Sequence, residues 1–330
     1  MRIAFTSCAS ARLVARQPVW DHIRAAAPDV LLLMGDNIYN DVPDTGIAAL
    51  EAMSELEFAE HLMQRYCEQL SVPSFARLVA QPDIGIHAIW DDHDFLWNDP
   101  NGGNRIHSPR HADKIRISTS LMRLFRRALT LHDVNAFPTS SSHPDVWQDW
   151  LDPGFAGLGA TSMPLEISSR AWLHLTDGRS FRDTSTLLGA AQRQALAARF
   201  AQAPGALHVI VSGSTYGSPD GWKGAPADAD WLFQQMGGRH WLMLSGDVHA
   251  NAFNLHRRLG PDGPCLVEAT ASGAALRAYL NKIVPGKELC NYGLLNLEDA
   301  QAEIGLFSFA QEQDESPHRF ARLPEGSLAL

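Results

Sequence analysis

Apolar residues in this chain fall into short unbroken runs that end in polar clusters, separated by stretches with apolar positions at three- and four-residue intervals. The first kind reads as buried strands and the second as helices that cover them. Residues 2–6 are a strand that runs into Ser7-Cys8, residues 20–27 fit a brief helix, and residues 29–34 are a second, apolar strand ended by Gly35-Asp36. Strand, helix, strand in such a short span is a βαβ unit, which imposes a parallel sheet buried on both faces. Residues 46–66 and 72–80 read as helices, and residues 84–90 as a third strand ending in Asp91-Asp92-His93-Asp94. Residues 114–131 form a basic amphipathic helix, expected to be structural with a solvated charged face. The stretch 138–163, rich in Ser, Pro, Gly and Asp, is an irregular insertion of the kind that serves as a lid or substrate loop.

Beyond Met163 the pattern changes. Residues 164–168 and 171–175 pair as a β-hairpin that ends in Thr176-Asp177-Gly178-Arg179. A helix at 187–203, a strand at 207–212 and a short helix at 228–236 follow, then an apolar strand at 240–245. Alternating or apolar runs at 251–258, 265–271, 292–298 and 303–309 suit consecutive strands. The expectation is an α/β fold of two packed sheets flanked by helices. With no linker, low-complexity run or internal repeat, residues 1–330 are expected to form a single domain.

Composition narrows the functions. A formal net charge of -10 excludes a general nucleic-acid binder, which needs a basic stripe. No run approaches the length of a membrane-spanning helix, and no apolar export signal opens the sequence. The four cysteines lack CxxC spacing, so neither a disulfide framework nor a zinc knuckle is indicated. A cytoplasmic location is expected.

The polar strand ends carry the chemistry. In Leu244-Ser-Gly-Asp-Val-His-Ala250, Asp247 and His249 are one residue apart, so in an extended turn both side chains project to the same side. Cys8, Asp36 with Tyr39, and Asp91-Asp92-His93 occupy equivalent strand ends, where sites gather in open α/β sheets. Each has a plain alternative: a packed thiol, a helix cap, a core ring, a solvated histidine. Together they bring several carboxylates to one sheet edge, which is costly unless cations neutralise them. A centre of two or more metal ions follows. The stretch Gly213-Ser-Thr-Tyr-Gly217 misses the spacing of a serine-hydrolase elbow, and no Walker-type phosphate loop occurs.

Taken in order, S-C near the start, G-D-x-x-Y, W-D-D-H-D-F-x-x-N-D, D-G-R-S-F-R at 177–182, Leu188-Gly189-Ala-Ala-Gln192, G-D-V-H and Asn291-Tyr-Gly-Leu-Leu295 resemble the alkaline phosphatase D (PhoD-like) family of calcineurin-like metallophosphoesterases. The resemblance spans residues 1 to 298. It implies a four-layer αββα sandwich of two mixed β-sheets, and a metal-dependent phosphoester hydrolase, phosphodiesterase or phosphomonoesterase, that attacks with a metal-activated hydroxide. It makes Asp36 the bridging carboxylate and places Cys8, Tyr39 and His249 around an iron(III)-type ion. Asp92, Asp247 and Asn98 fall to a second ion, calcium or else zinc, manganese or magnesium. His93 becomes the proton donor facing the substrate. Arg179 becomes the grip on a phosphoryl oxygen, with Arg182 as the alternative, unless the arginine is buried as a structural counter-ion. The implied substrate is a small-molecule phosphoester; the rival function is a catalytically lapsed protein that only binds metal and phosphate. The chain begins at the first catalytic strand, unlike signal-bearing family members, which favours an intracellular substrate.

Overall fold

In a computed structural model, residues 1–98, 109–148, 160–237, 239, 241–257, 265–276, 289–298, 301–310 and 318–322 are described. The order begins β1 (Arg2–Thr6), α1 (Val19–Ala25), β2 (Val30–Met34), α2 (Ile47–Ala52), α3 (Glu55–Leu70), α4 (Pro73–Val79) and β3 (Gly85–Ile89). Then come α5 (Asp92–Phe95), α6 (Pro109–Thr130), β4 (Met163–Ser168), β5 (Ala171–Leu175), α7 (Ala190–Gln202), β6 (Leu207–Val211), α8 (Pro226–Met236) and β7 (Trp241–Ser245). The chain closes with β8 (Asn251–Arg257), β9 (Cys265–Ala271), β10 (Leu289–Glu298), β11 (Gln301–Ala310) and β12 (His318–Arg322).

Two six-stranded mixed sheets result, in the orders β12-β11-β10-β1-β2-β3 and β4-β5-β6-β7-β9-β8. Strands β1, β2 and β3 are parallel, as are β5, β6, β7 and β9; every other pairing is antiparallel. Strand alternation sorts the core into three layers. Ile3, Phe5, Leu32, Val209, Leu244 and Val267 meet between the sheets. On the outer face of the first sheet, Ala4, Leu31 and Leu33 pack against α1, α3, α4 and α6. On the outer face of the second, Ile210, Trp241 and Met243 pack against residues of α7 and α8. Both faces of each central strand are therefore buried, which is why these strands read as continuous apolar runs. The expected four-layer αββα sandwich is the fold observed.

Several details differ from the expectation. The helix expected at 46–66 is broken at Met53-Ser54, where Ser54 caps α3 in a reciprocal capping box with Glu57. The face of α6 expected to be solvated is largely buried, because α3, β3 and the turn at Pro144–Trp147 close around it. Only Arg123, Arg127 and Thr130 stay exposed among its described side chains, while buried Lys114 donates to the carbonyls of Glu51 and Met53. The runs at 292–298 and 303–309 are consecutive strands as expected, and they join the first sheet, where β10 pairs antiparallel with β1 and β11 with β10. Strand β12 was not anticipated. Residues 149–159 of the expected insertion lie outside the described residues. Among the described residues, no helix is long and apolar enough to cross a membrane.

Candidate metal centre

The parallel strands of both sheets release their C-terminal ends at one rim, and the expected ligands sit in the first residues after them. Among the described residues six non-glycine positions have positive φ, and four of these are Cys8 (φ 63), Asp36 (φ 49), Asp247 (φ 75) and His249 (φ 54). Such backbone is costly for a side chain and persists where the surroundings over-determine it, typically at functional sites. Left-handed backbone at both 247 and 249 corrects the extended turn expected there. The two side chains separate, Asp247 toward Asp91 and Asp92, His249 toward Cys8 and Asp36.

Three overlapping donor clusters form: Cys8, Asp36 and His249; Asp36, Asp92 and His93; and Asp91, Asp92 and Asp247. Within each, the ligand atoms lie within 4.8 Å of one another. In the first, the Tyr39 hydroxyl donates to Asp36 Oδ2 at 3.1 Å and lies 2.9 Å from His249 Nε2, while Cys8 Sγ is 3.4 Å from Asp36 Oδ2. Ser272 joins the two sides: its Oγ accepts the His249 N–H at 2.9 Å and lies 3.1 Å from Cys8 Sγ. Asn291 braces it by donating to the Ser272 carbonyl at 2.6 Å. In the second, His93 Nδ1 is 2.6 Å from Asp41 Oδ1, and Asp41 Oδ2 accepts the Asn98 N–H at 2.8 Å. The Asp41 contact directs His93 Nε2 toward Asp92 Oδ2, at 4.0 Å.

Asp91 is pinched between glycines. A Cβ on Gly35 would come within 2.6 Å of Asp91 Cβ, and one on Gly213 within 2.8 Å of Asp91 Cγ. Only glycine lets the carboxylate settle there, and Gly35 also has φ +91. The D-G-R-S-F-R turn is held by Gln192, whose Oε1 accepts the Asp177 N–H at 2.8 Å and whose Nε2 donates to the Asp177 carbonyl at 2.9 Å. Asp177 Oδ1 in turn accepts the N–H groups of Arg179 and Ser180. Through these bonds both motifs aim Arg179.

Arg179, the expected grip on a phosphoryl oxygen, lies among acidic side chains. Its side chain is fully buried, with Nε 2.5 Å from Asp91 Oδ1 and Nη2 3.0 Å from Asp220 Oδ2, surroundings that suit the counter-ion alternative. Arg182 is likewise committed to Asp220. The Asn98 side chain is exposed rather than buried among the other expected ligands, and its backbone serves Asp41 instead. Asp41, Ser272 and the role of Asp91 are not among the features expected from the sequence. Asp41 follows Tyr39 by two residues and Asp91 belongs to the W-D-D-H-D run, so both were visible; Ser272 had no local signal.

The electrostatics fit bound cations. Burial, then repulsion from Cys8 and Asp92, raises Asp36 well above the ordinary carboxylate range. Burial, with the charges of Asp91 and Asp92 added, pushes Asp247 up to about 8, and burial holds the Cys8 thiol at about 11 despite the Ser272 and Ser7 hydroxyls. Burial alone would lower His93, but Asp92, Asp36 and Asp41 outweigh it and raise it to about 10. Carboxylates crowded until they resist ionisation, beside a thiol and a phenol in the same state, are what multivalent cations relieve.

No family model matches the sequence, and neither does any curated protein. Solved structures do match in fold. The structure of PhoD superposes with a TM-score of 0.65 at 15% identity, covering 99% of this chain and 73% of that one. GAP50, the anchor in the inner membrane complex of Plasmodium, gives a TM-score of 0.44 at 11% identity, covering 99% of this chain and 91% of its own. Wild-type Vps29 complexed with zinc, from Entamoeba histolytica, gives 0.35 at 12% identity, covering 98% of each chain. Similarity at the level of the last two says nothing about chemistry here. The first shows that this chain shares the fold of PhoD, two packed mixed sheets flanked by helices.

Proposed function

We propose that this chain is a metal-dependent phosphoester hydrolase acting on a small-molecule phosphodiester or phosphomonoester. The observation that carries the reading is the first donor cluster: Cys8, Asp36 and His249 converge within 4.8 Å, on backbone of positive φ, beside further buried carboxylates. Thiolate, phenolate and imidazole from Cys8, Tyr39 and His249 suit iron(III), and Asp36, Asp92 and Asp247 would hold a second ion beside it. Oxygen donors there suit calcium, with zinc, manganese or magnesium as substitutes. Bound cations supply Lewis acidity for the phosphoryl oxygens and lower the pKa of water, so no protein nucleophile is needed.

The protein's own groups complete the centre. Asp41 fixes the His93 ring through Nδ1, leaving Nε2 to carry a proton toward a departing oxygen. Ser272 steadies Cys8 and His249 together. The described chain works as one catalytic domain.

Hydrolysis of bis(4-nitrophenyl) phosphate and 4-nitrophenyl phosphate by the metal-loaded chain tests the proposal, with Asp247→Ala as control. Removing that carboxylate is expected to abolish turnover and cost at least one metal ion per chain. Full activity in Asp247→Ala sinks the assignment. A metal-loaded wild type inert on both substrates, yet holding a bound phosphate compound, makes the chain a binding protein instead.

A further inference from the structure

The three donor clusters suggest three ions, but they are not equivalent. The cluster of Asp91, Asp92 and Asp247 already contains a cation. The Arg179 guanidinium sits with Nε 2.5 Å from Asp91 Oδ1 and Nη2 3.6 Å from Asp92 Oδ1, its side chain wholly buried. Its seat is built from several directions. Asp177 and Gln192 lock the turn that carries it, Asp220 and Ser214 hold Nη2, and Gly35 and Gly213 admit the Asp91 carboxylate against it.

A guanidinium does not give up its charge in a protein, and its rigid fork matches a carboxylate edge. It cannot leave without stranding buried acids, and an ion seated on the Asp91 carboxylate it already holds at 2.5 Å would meet strong repulsion. In the first cluster the donors meet hydroxyls and one another. The second meets Arg179 through Asp92 Oδ1, while Asp92 Oδ2 faces His93. We propose that Arg179 is an internal cation standing in for a third metal ion, so that the centre holds two ions and Asp91 is a counter-ion rather than a ligand. The inference rests on the metal-dependent reading above. Asp92 and Asp247 are the carboxylates assigned to the second ion; the shorter ion pair of Arg179 within this cluster is with Asp91, at 2.5 Å against 3.6 Å to Asp92.

Zinc alone is the probe, since its preferences span thiolate, imidazole and carboxylate. The full chain, stripped by chelation, is saturated with zinc, desalted, and its zinc counted per chain by elemental analysis. Wild type is expected to hold two ions, Arg179→Gln three, and Arg179→Lys, which keeps the charge, two. Asp91→Asn is expected to keep two ions, with zinc affinity changed less than about threefold, well short of the loss of a ligand or its support. Three ions in wild type, no gain in a folded Arg179→Gln, or an ion lost from Asp91→Asn overturns the inference while leaving the phosphoesterase reading intact. Should Arg179→Gln fail to fold, Asp91→Asn decides. A wild type that takes up no zinc removes the metal-dependent reading as well.

Discussion

At Cys8, three influences act on one sulfur. Positive φ turns the residue out of the strand, full burial disfavours its thiolate, and the Ser7 and Ser272 hydroxyls favour it. The Ser272 Oγ accepts the His249 N–H at 2.9 Å and lies 3.1 Å from the sulfur. A cation tips that balance outright, since coordination deprotonates a thiol. Iron(III)-loaded wild type is expected to show a visible charge-transfer band, and Cys8→Ser to lose the thiolate contribution while binding iron about tenfold or more weakly. An unchanged spectrum and iron content in Cys8→Ser would remove the residue from the ligand set.

Among the elements, helix boundaries place the charged groups. Ser54 accepts the Glu57 N–H while Glu57 Oε2 takes the Ser54 N–H at 2.8 Å, so α3 starts there whatever the apolar periodicity suggests. Lys114 reaches across from α6 to cover the carbonyl end of α2. Ser54→Ala is expected to cost about 1 kcal/mol of stability in urea titration and leave turnover unchanged. A loss below a few tenths of that would show the cap to be redundant. The same device recurs at the metal rim, where Asp91 caps α5 in a box with Asp94. The residue paired with Arg179 thus also starts the helix that carries Asp92 and His93.

Across the whole molecule, burial of titratable groups away from the centre couples stability to pH. His174 and His208, on neighbouring strands of the second sheet, are fully buried beneath α7 with Nε2 and Nδ1 3.0 Å apart. Burial depresses them to about 3 and about 4. Both stay neutral in the native state while the unfolded chain takes up protons below its ordinary value near 6.5. The unfolded state therefore binds more protons between about pH 4 and 6.5, and the stability present above 6.5 falls as pH falls through that window. Lowering pH from 7.5 to 5.5 is expected to cost about 2–3 kcal/mol from this pair. In His174→Gln, compared by urea unfolding at both pH values, the slope is expected to shrink; an identical slope would assign the effect to other groups.

Much of this architecture was legible in the chain. Unbroken apolar runs such as Val30–Met34 and Trp241–Ser245 can only be strands covered on both faces, and the polar residues after them mark one rim. Those local patterns determined the layered fold, and with the resemblance they singled out Cys8, Asp36, Tyr39, Asp92, His93, Asp247 and His249 for the centre. What they could not determine depends on residues far apart in sequence. The return of β10 to β1 is set by an open sheet edge, not by anything within residues 289–298. Whether Arg179 grips a substrate or neutralises Asp91 is decided by which groups surround it after folding, as is the service of Asp41 and Ser272 to neighbours up to 264 residues away. Local sequence specifies backbone preference and which faces are apolar; the pairing of charges is a property of three-dimensional proximity, and only the tertiary structure supplies it.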